Sequence, residues 1–180
     1  MVCAAEAQQQ LGLDRVLMVV ASVPPHKGDG DDPGAEHRLQ MCRLIATDHP
    51  WLEVSELELQ RSGPSYTVDT LREIHASAPG DELTLILGAD AALGLPDWRE
   101  PEGVLELAAL AIVDRTGIGL EALREHLSRL HGGERLTFID APPIGISSSL
   151  VRERVAAGRS VAHLVGRDVA AYIDAQGLYR

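Results

Sequence analysis

Aromatic side chains are scarce: Trp51, Trp98, Tyr66, Tyr172, Tyr179 and Phe138 are all that 180 residues contain. A core with so few rings is aliphatic, and any ring outside it is conspicuous as a binding platform. Cysteine is as rare. Cys3 and Cys42 form no C-x-x-C, so neither a disulfide framework nor a zinc site is offered, as suits a reducing cytosol. No apolar run approaches the ~18 residues a membrane span requires. No basic segment precedes an apolar stretch at the N-terminus, as a secretory leader would show. These absences lead us to expect a soluble, cytoplasmic chain with no membrane partner. Positive charge is also in deficit, with 16 Lys+Arg against 27 Asp+Glu, a net charge of −11 and pI ≈ 5.0. That balance argues against nucleic acid as a partner, although a small phosphorylated ligand can still find a local basic pocket. There is no Gly-Lys-Ser/Thr of a P-loop and no H-E-x-x-H. The acidic stretch at 28–34 fails as a calcium loop, because Pro33 and Gln40 occupy ligand positions, so no metal site is expected.

What is present is strand and helix in alternation. Residues 15–21 (Arg-Val-Leu-Met-Val-Val-Ala) form a continuous apolar run, as a buried parallel strand does. Residues 83–88 and 110–114 repeat the pattern, and 136–140 is a weaker fourth. Helical spacing marks 35–47, 66–78, 105–108, 119–131, 147–157 and 166–175, with a stripe of Leu120, Leu123, Leu127 and Leu130 in the fourth. This predicts one α/β domain over 1–180, a doubly wound parallel sheet, able to bury about two-thirds of its unfolded surface. The start is unusual. Residues 2–11 are helical and lead straight into the first strand, whereas such folds normally open on a strand whose carboxyl end carries the ligand-binding turn.

Several residues could carry chemistry. His26 and Lys27 follow the first apolar run and would sit at the rim of a ligand crevice, or form a stiff diproline loop with Pro24 and Pro25. Ser65, Tyr66 and Thr67 open a helix; Ser65 suits an N-cap, and the helix start suits an anion. Asp90, after Gly88 at the end of an apolar strand, is placed to accept a ribose hydroxyl or to cap a helix. Trp98 in Leu-Pro-Asp-Trp can stack on a flat ring or cover the core. His75, His126 and His131 fall on polar helix faces and read as surface residues. The strongest signal is Ile146 followed by Ser147, Ser148, Ser149 and, one turn on, Arg152. Hydroxyls, first-turn N–H groups and a guanidinium fork converge there, as phosphate binding requires.

Taken together these motifs resemble one family. Val-Pro-Pro-His-Lys at 23–27, Ala-Glu-His-Arg at 35–38, Gly-Pro-Ser-Tyr-Thr-Val-Asp-Thr-Leu at 63–71, Gly-Ala-Asp at 88–90, Leu-Pro-Asp-Trp at 95–98, the serine run with Arg152, and Asp-Ala-Gln-Gly-Leu-Tyr at 174–179 occur in order. The set is similar to bacterial nicotinate-nucleotide adenylyltransferases of the HxGH nucleotidyltransferase superfamily. The resemblance implies adenylyl transfer from Mg²⁺-bound ATP to nicotinate mononucleotide, giving nicotinate adenine dinucleotide and pyrophosphate in NAD synthesis, with no covalent intermediate. It implies that Ser147, Ser148, Ser149 and Arg152 bind ATP phosphates. Tyr66, Thr67 and Trp98 match the nicotinate pocket, His26 and Lys27 the mononucleotide loop, and Gly88 with Asp90 a nucleotide contact. A homo-oligomer is compatible with it.

The sequence departs from that pattern in one respect. Members open with a strand and a glycine turn leading to H-x-G-H, and no H-x-G-H occurs here. Residues 1–6 line up with the helix that follows that motif. Residues 1–180 are therefore expected to lack the first strand and its catalytic histidines, to leave neighbouring strand edges open, to aggregate and to be inactive alone. Two classes of function follow: an adenylyltransferase whose full product carries the motif, or a nucleotide-binding relative without catalysis. A sister enzyme acting on phosphopantetheine is a third, against which Tyr66, Thr67 and Trp98 speak.

Overall fold

The computed structural model describes residues 1–23, 32–113, 120–143 and 145–180. They fall into two compact units, each assembled from two stretches of chain: Met1–Asp14 with Ser65–Pro143, and Arg15–Pro64 with Ile144–Arg180.

The first unit is built on three parallel strands, β3 (Thr84–Gly88), β4 (Ala109–Val113) and β5 (Leu136–Ile139), in that order. In the middle strand, alternate residues supply both faces. Leu110 and Ile112 join a cluster with Val68 and Leu71 of α3 (Thr67–Ser77), Ala92 of α4 (Ala89–Leu93), Val104 and Leu105 of α5 (Pro101–Leu107), and Leu123 and Leu127 of α6 (Leu120–Leu127). Ala111 and Val113 face the other way, against Ala7 of α1 (Val2–Leu11) and Ile139. A strand covered on both faces can be apolar throughout, which is why its sequence shows no alternation. Helix α1 stops at Gly12, whose φ of 64° lets its N–H return to the carbonyl of Gln8. Helix α5 begins at Pro101, four residues before the apolar spacing suggests, because proline suits the first helical position.

The second unit holds the parallel pair β1 (Val16–Val19) and β2 (Leu52–Ser55), joined through α2 (Ala35–Ala46). Residues 52–55 lie outside the four strand-like runs of the sequence. Four residues including an exposed Glu53 give no usable period, and pairing of Leu52 with Val16 makes the strand. The C-terminal helices α7 (Ser148–Ala156), α8 (Ala162–Val165) and α9 (Arg167–Ala175) bury Val151, Val161, Val169 and Ile173 against Met41, Leu44 and Ile45 of α2. His37 Nδ1 lies 2.8 Å from the Tyr172 hydroxyl, pinning α9 to α2.

Among the described residues all strand pairing is parallel, as expected, and the strands form two sheets. Among the described residues β1 pairs only with β2 and β3 only with β4, so each has one unpaired edge. No described helix is long and apolar enough to cross a membrane.

Candidate nucleotide-binding site

In the second unit, Ser147 caps α7: its hydroxyl accepts the N–H of Leu150 at 3.1 Å. One of the three serines therefore performs the local capping task, and the other two head the helix. Ser148 and Ser149 carry first-turn N–H groups, which have no partner inside a helix, at its electropositive end. All three serines are exposed. Arg152, one turn on, donates from Nη2 to the Ser149 hydroxyl at 3.3 Å. Ser149 and Arg152 line an open cleft of about 570 Å³, together with Asp32, Pro33, Glu153, Tyr179 and Arg180. That volume suits a nucleotide-sized ligand. Burial pushes the Tyr179 phenol above its ordinary pKa; Arg152 pulls it back, Asp32 raises it and Arg38 lowers it.

The first unit carries the other candidates. Tyr66, not Ser65, is the N-cap residue of α3, and the Tyr66 side chain makes no capping bond. Tyr66 is half-buried on the core, and the Arg99 guanidinium stacks on its ring at 4.7 Å from the centroid. Thr67 opens the helix directly after it. Trp98 is also half-buried and packs against the same apolar cluster, so part of its indole supports the core. Gly88 ends β3 and is the N-cap of α4, which places Asp90 inside the helix, exposed, in its first turn. His75 and His131 are exposed as expected; His126 is half-buried, with Nε2 3.2 Å from the Leu93 carbonyl. Among the described residues no three His, Cys, Asp or Glu side chains gather as a metal site would need. His26 and Lys27 lie outside the described residues.

Nothing in the sequence marks a role for Asp32, Arg38, Arg99 or Tyr179, although Arg38 and Tyr179 fall inside two of the motif stretches. Their placement depends on contacts between segments far apart in the chain.

A family model for cytidylyltransferase-like proteins matches residues 1–154. A protein of Roseiflexus sp. (strain RS-1), named as a probable nicotinate-nucleotide adenylyltransferase, is 45% identical over 179 residues, covering 98% of this chain and 88% of that protein. The chain belongs to the nicotinate-nucleotide adenylyltransferase family. A relative of the same name from Thermus thermophilus is 44% identical across 100% of this chain and 91% of its own length. Among solved structures, the nicotinic acid mononucleotide adenylyltransferase of Plasmodium falciparum, in complex with NaAD, superimposes with a TM-score of 0.76. It covers 98% of this chain and 90% of that one at 18% identity, a likeness of fold.

Proposed function

We propose that this chain transfers the adenylyl group of ATP to nicotinate mononucleotide, releasing pyrophosphate, as a step of NAD synthesis in the cytoplasm. The observation that carries this is the convergence of Ser149, Arg152 and the head of α7 on one cleft. A phosphate oxygen of the mononucleotide forms a bond to the α-phosphorus of ATP. The bond from that phosphorus to the bridging oxygen breaks, and pyrophosphate leaves with the electron pair. Mg²⁺ arrives bound to ATP, as part of the substrate. The protein's contribution is alignment and neutralisation of charge developing on the leaving group. Arg152 offers a planar fork to the phosphates, and Ser147, Ser148 and Ser149 surround them with hydroxyl and N–H donors. Tyr66, Thr67 and Trp98 receive the pyridine ring, Gly88 and Asp90 contact nucleotide, and His26 with Lys27 hold the mononucleotide. In this reading 1–180 belongs to a single nucleotidyltransferase domain.

Pyrophosphate release is the direct test, measured with ATP and either nicotinate mononucleotide or phosphopantetheine. Turnover with the first alone is expected from a protein that carries the H-x-G-H strand, the background in which the variants below are compared, and none from residues 1–180 by themselves. Arg152→Ala should lose about 10²–10³ in rate, and Lys at that position should recover only part, being a point charge without the fork. Trp98→Ala should raise KM for the mononucleotide and leave that for ATP. Turnover with phosphopantetheine would replace the substrate assignment. ATP binding without any pyrophosphate release would identify a nucleotide-binding relative.

A further inference from the structure

Arg38 lies on α2, and each of its three side-chain nitrogens donates within one small region. Its Nη1 donates to the Ala21 carbonyl at 2.6 Å and its Nη2 to the Ser22 carbonyl at 3.2 Å, just past β1. Its Nε donates to Asp32 Oδ1 at 3.0 Å. Asp32 lies on the wall of the cleft that also holds Ser149, Arg152 and Tyr179. The remaining charged groups on that wall are Glu153 and Arg180, and Arg180 is itself engaged with the carboxylate and carbonyl of Asp174.

A free carboxylate beside the site of a polyanion opposes binding. The Arg38–Asp32 side chains are only 22% and 37% exposed, so their pairing is less screened than an open surface pair. The fork adds geometry to charge. Its Nη groups hold the guanidinium to the carbonyls just past β1, and the Nε bond ties Asp32 Oδ1 to the same place. We propose that Arg38 is a positioning residue for polyphosphate binding, cancelling the charge of Asp32 on the cleft wall and tying it to the end of β1. This rests on the assignment of the cleft to the phosphates of ATP. Arg38 touches no substrate in this arrangement; it acts through Asp32.

The test compares wild type, Arg38→Met, Arg38→Lys, Asp32→Asn and the Asp32→Asn/Arg38→Met double variant. Affinity for Mg-ATP is measured by calorimetry and the Tyr179 ring is titrated by NMR without ligand. Arg38→Met should weaken ATP binding about tenfold, and the double variant should return to within about twofold of wild type. Asp32→Asn alone should bind more tightly than wild type. Arg38→Lys retains the charge without the fork and should lose less affinity than Met; it carries the comparison if the Met variant does not fold. A double variant as weak as Arg38→Met would overturn the proposal, because the ties to Ala21 and Ser22 alone would then explain the loss. So would wild-type affinity in Arg38→Met. Absence of ATP binding in wild type would instead overturn the cleft assignment. The Tyr179 titration still decides the charge claim in that case. Its pKa should rise in Arg38→Met and fall again in the double variant, and an unchanged titration would refute the neutralisation.

Discussion

The side-chain amide of Gln10 makes both hydrogen bonds to the backbone of Asp140. Its Nε2 donates to the Asp140 carbonyl at 2.6 Å, and its Oε1 accepts the Asp140 N–H at 3.0 Å. A glutamine at the end of α1 thus completes the pairing of the chain just beyond β5, as a neighbouring strand would. It also anchors the helix whose Ala7 covers Ala111, Val113 and Ile139. The bonds are exposed, so water competes for both groups when the amide is removed. Gln10→Ala should therefore cost about 0.5–1.5 kcal/mol, read from denaturant unfolding with an unchanged slope. Gln10→Glu keeps the acceptor but replaces the donor with a charge facing a carbonyl, and should be no better than alanine.

Gly133, buried after α6, has no room for a side chain. A Cβ there would stand 1.9 Å from the carbonyl oxygen of Leu127 and 2.7 Å from its carbon. Both atoms are backbone at the end of a helix and cannot turn aside. Gly133→Ala should cost at least ~2 kcal/mol, lowering Tm by roughly 4–8 °C in a thermal melt. Gly80, exposed in a turn, would meet nothing within 4 Å, and Gly80→Ala should stay within about 0.5 kcal/mol of wild type.

Arg72 grips Glu100 with both arms, Nη2 to Oε2 at 2.6 Å and Nη1 to Oε1 at 3.3 Å. That hydrogen-bonded pairing, supported by the charges of Arg72 and Arg99, holds the Glu100 carboxyl below its ordinary value of 4.5. A carboxyl depressed in the folded state stabilises the fold above its unfolded pKa, and the contribution disappears as pH falls through the folded value. Glu100→Gln should therefore lower Tm slightly at pH 7, and the two melting curves should converge well below pH ~4. Because the pair is exposed, raising salt at pH 7 should shrink the difference as well. A difference that persists at low pH would assign the effect to packing instead of charge.

Element type was written locally wherever the local pattern was strong. The run at 109–113 is apolar throughout because both of its faces are covered, and the leucine stripe around Leu123 and Leu127 marks a helix whose one face meets the core. The serine run announced the head of α7, since Ser147 caps by a bond spanning three residues. Adenylyl transfer could be expected before any contact was known because the motifs, in their order, resemble those of the adenylyltransferases. Contacts between distant segments were not written there. Residues 52–55 become a strand only because Val16 to Val19 offer matching hydrogen bonds. Tyr66 displaces Ser65 at the cap of α3, with its ring packed on the core under Arg99. Asp32 is a charge in an acidic stretch until Arg38 and the cleft wall give it a partner and a place. Tyr179 shares that wall with Ser149 although about thirty residues separate them in sequence. Periodicity reports which face of one element is apolar. Which side chains share a volume depends on how those faces stack, and only the tertiary structure decides that.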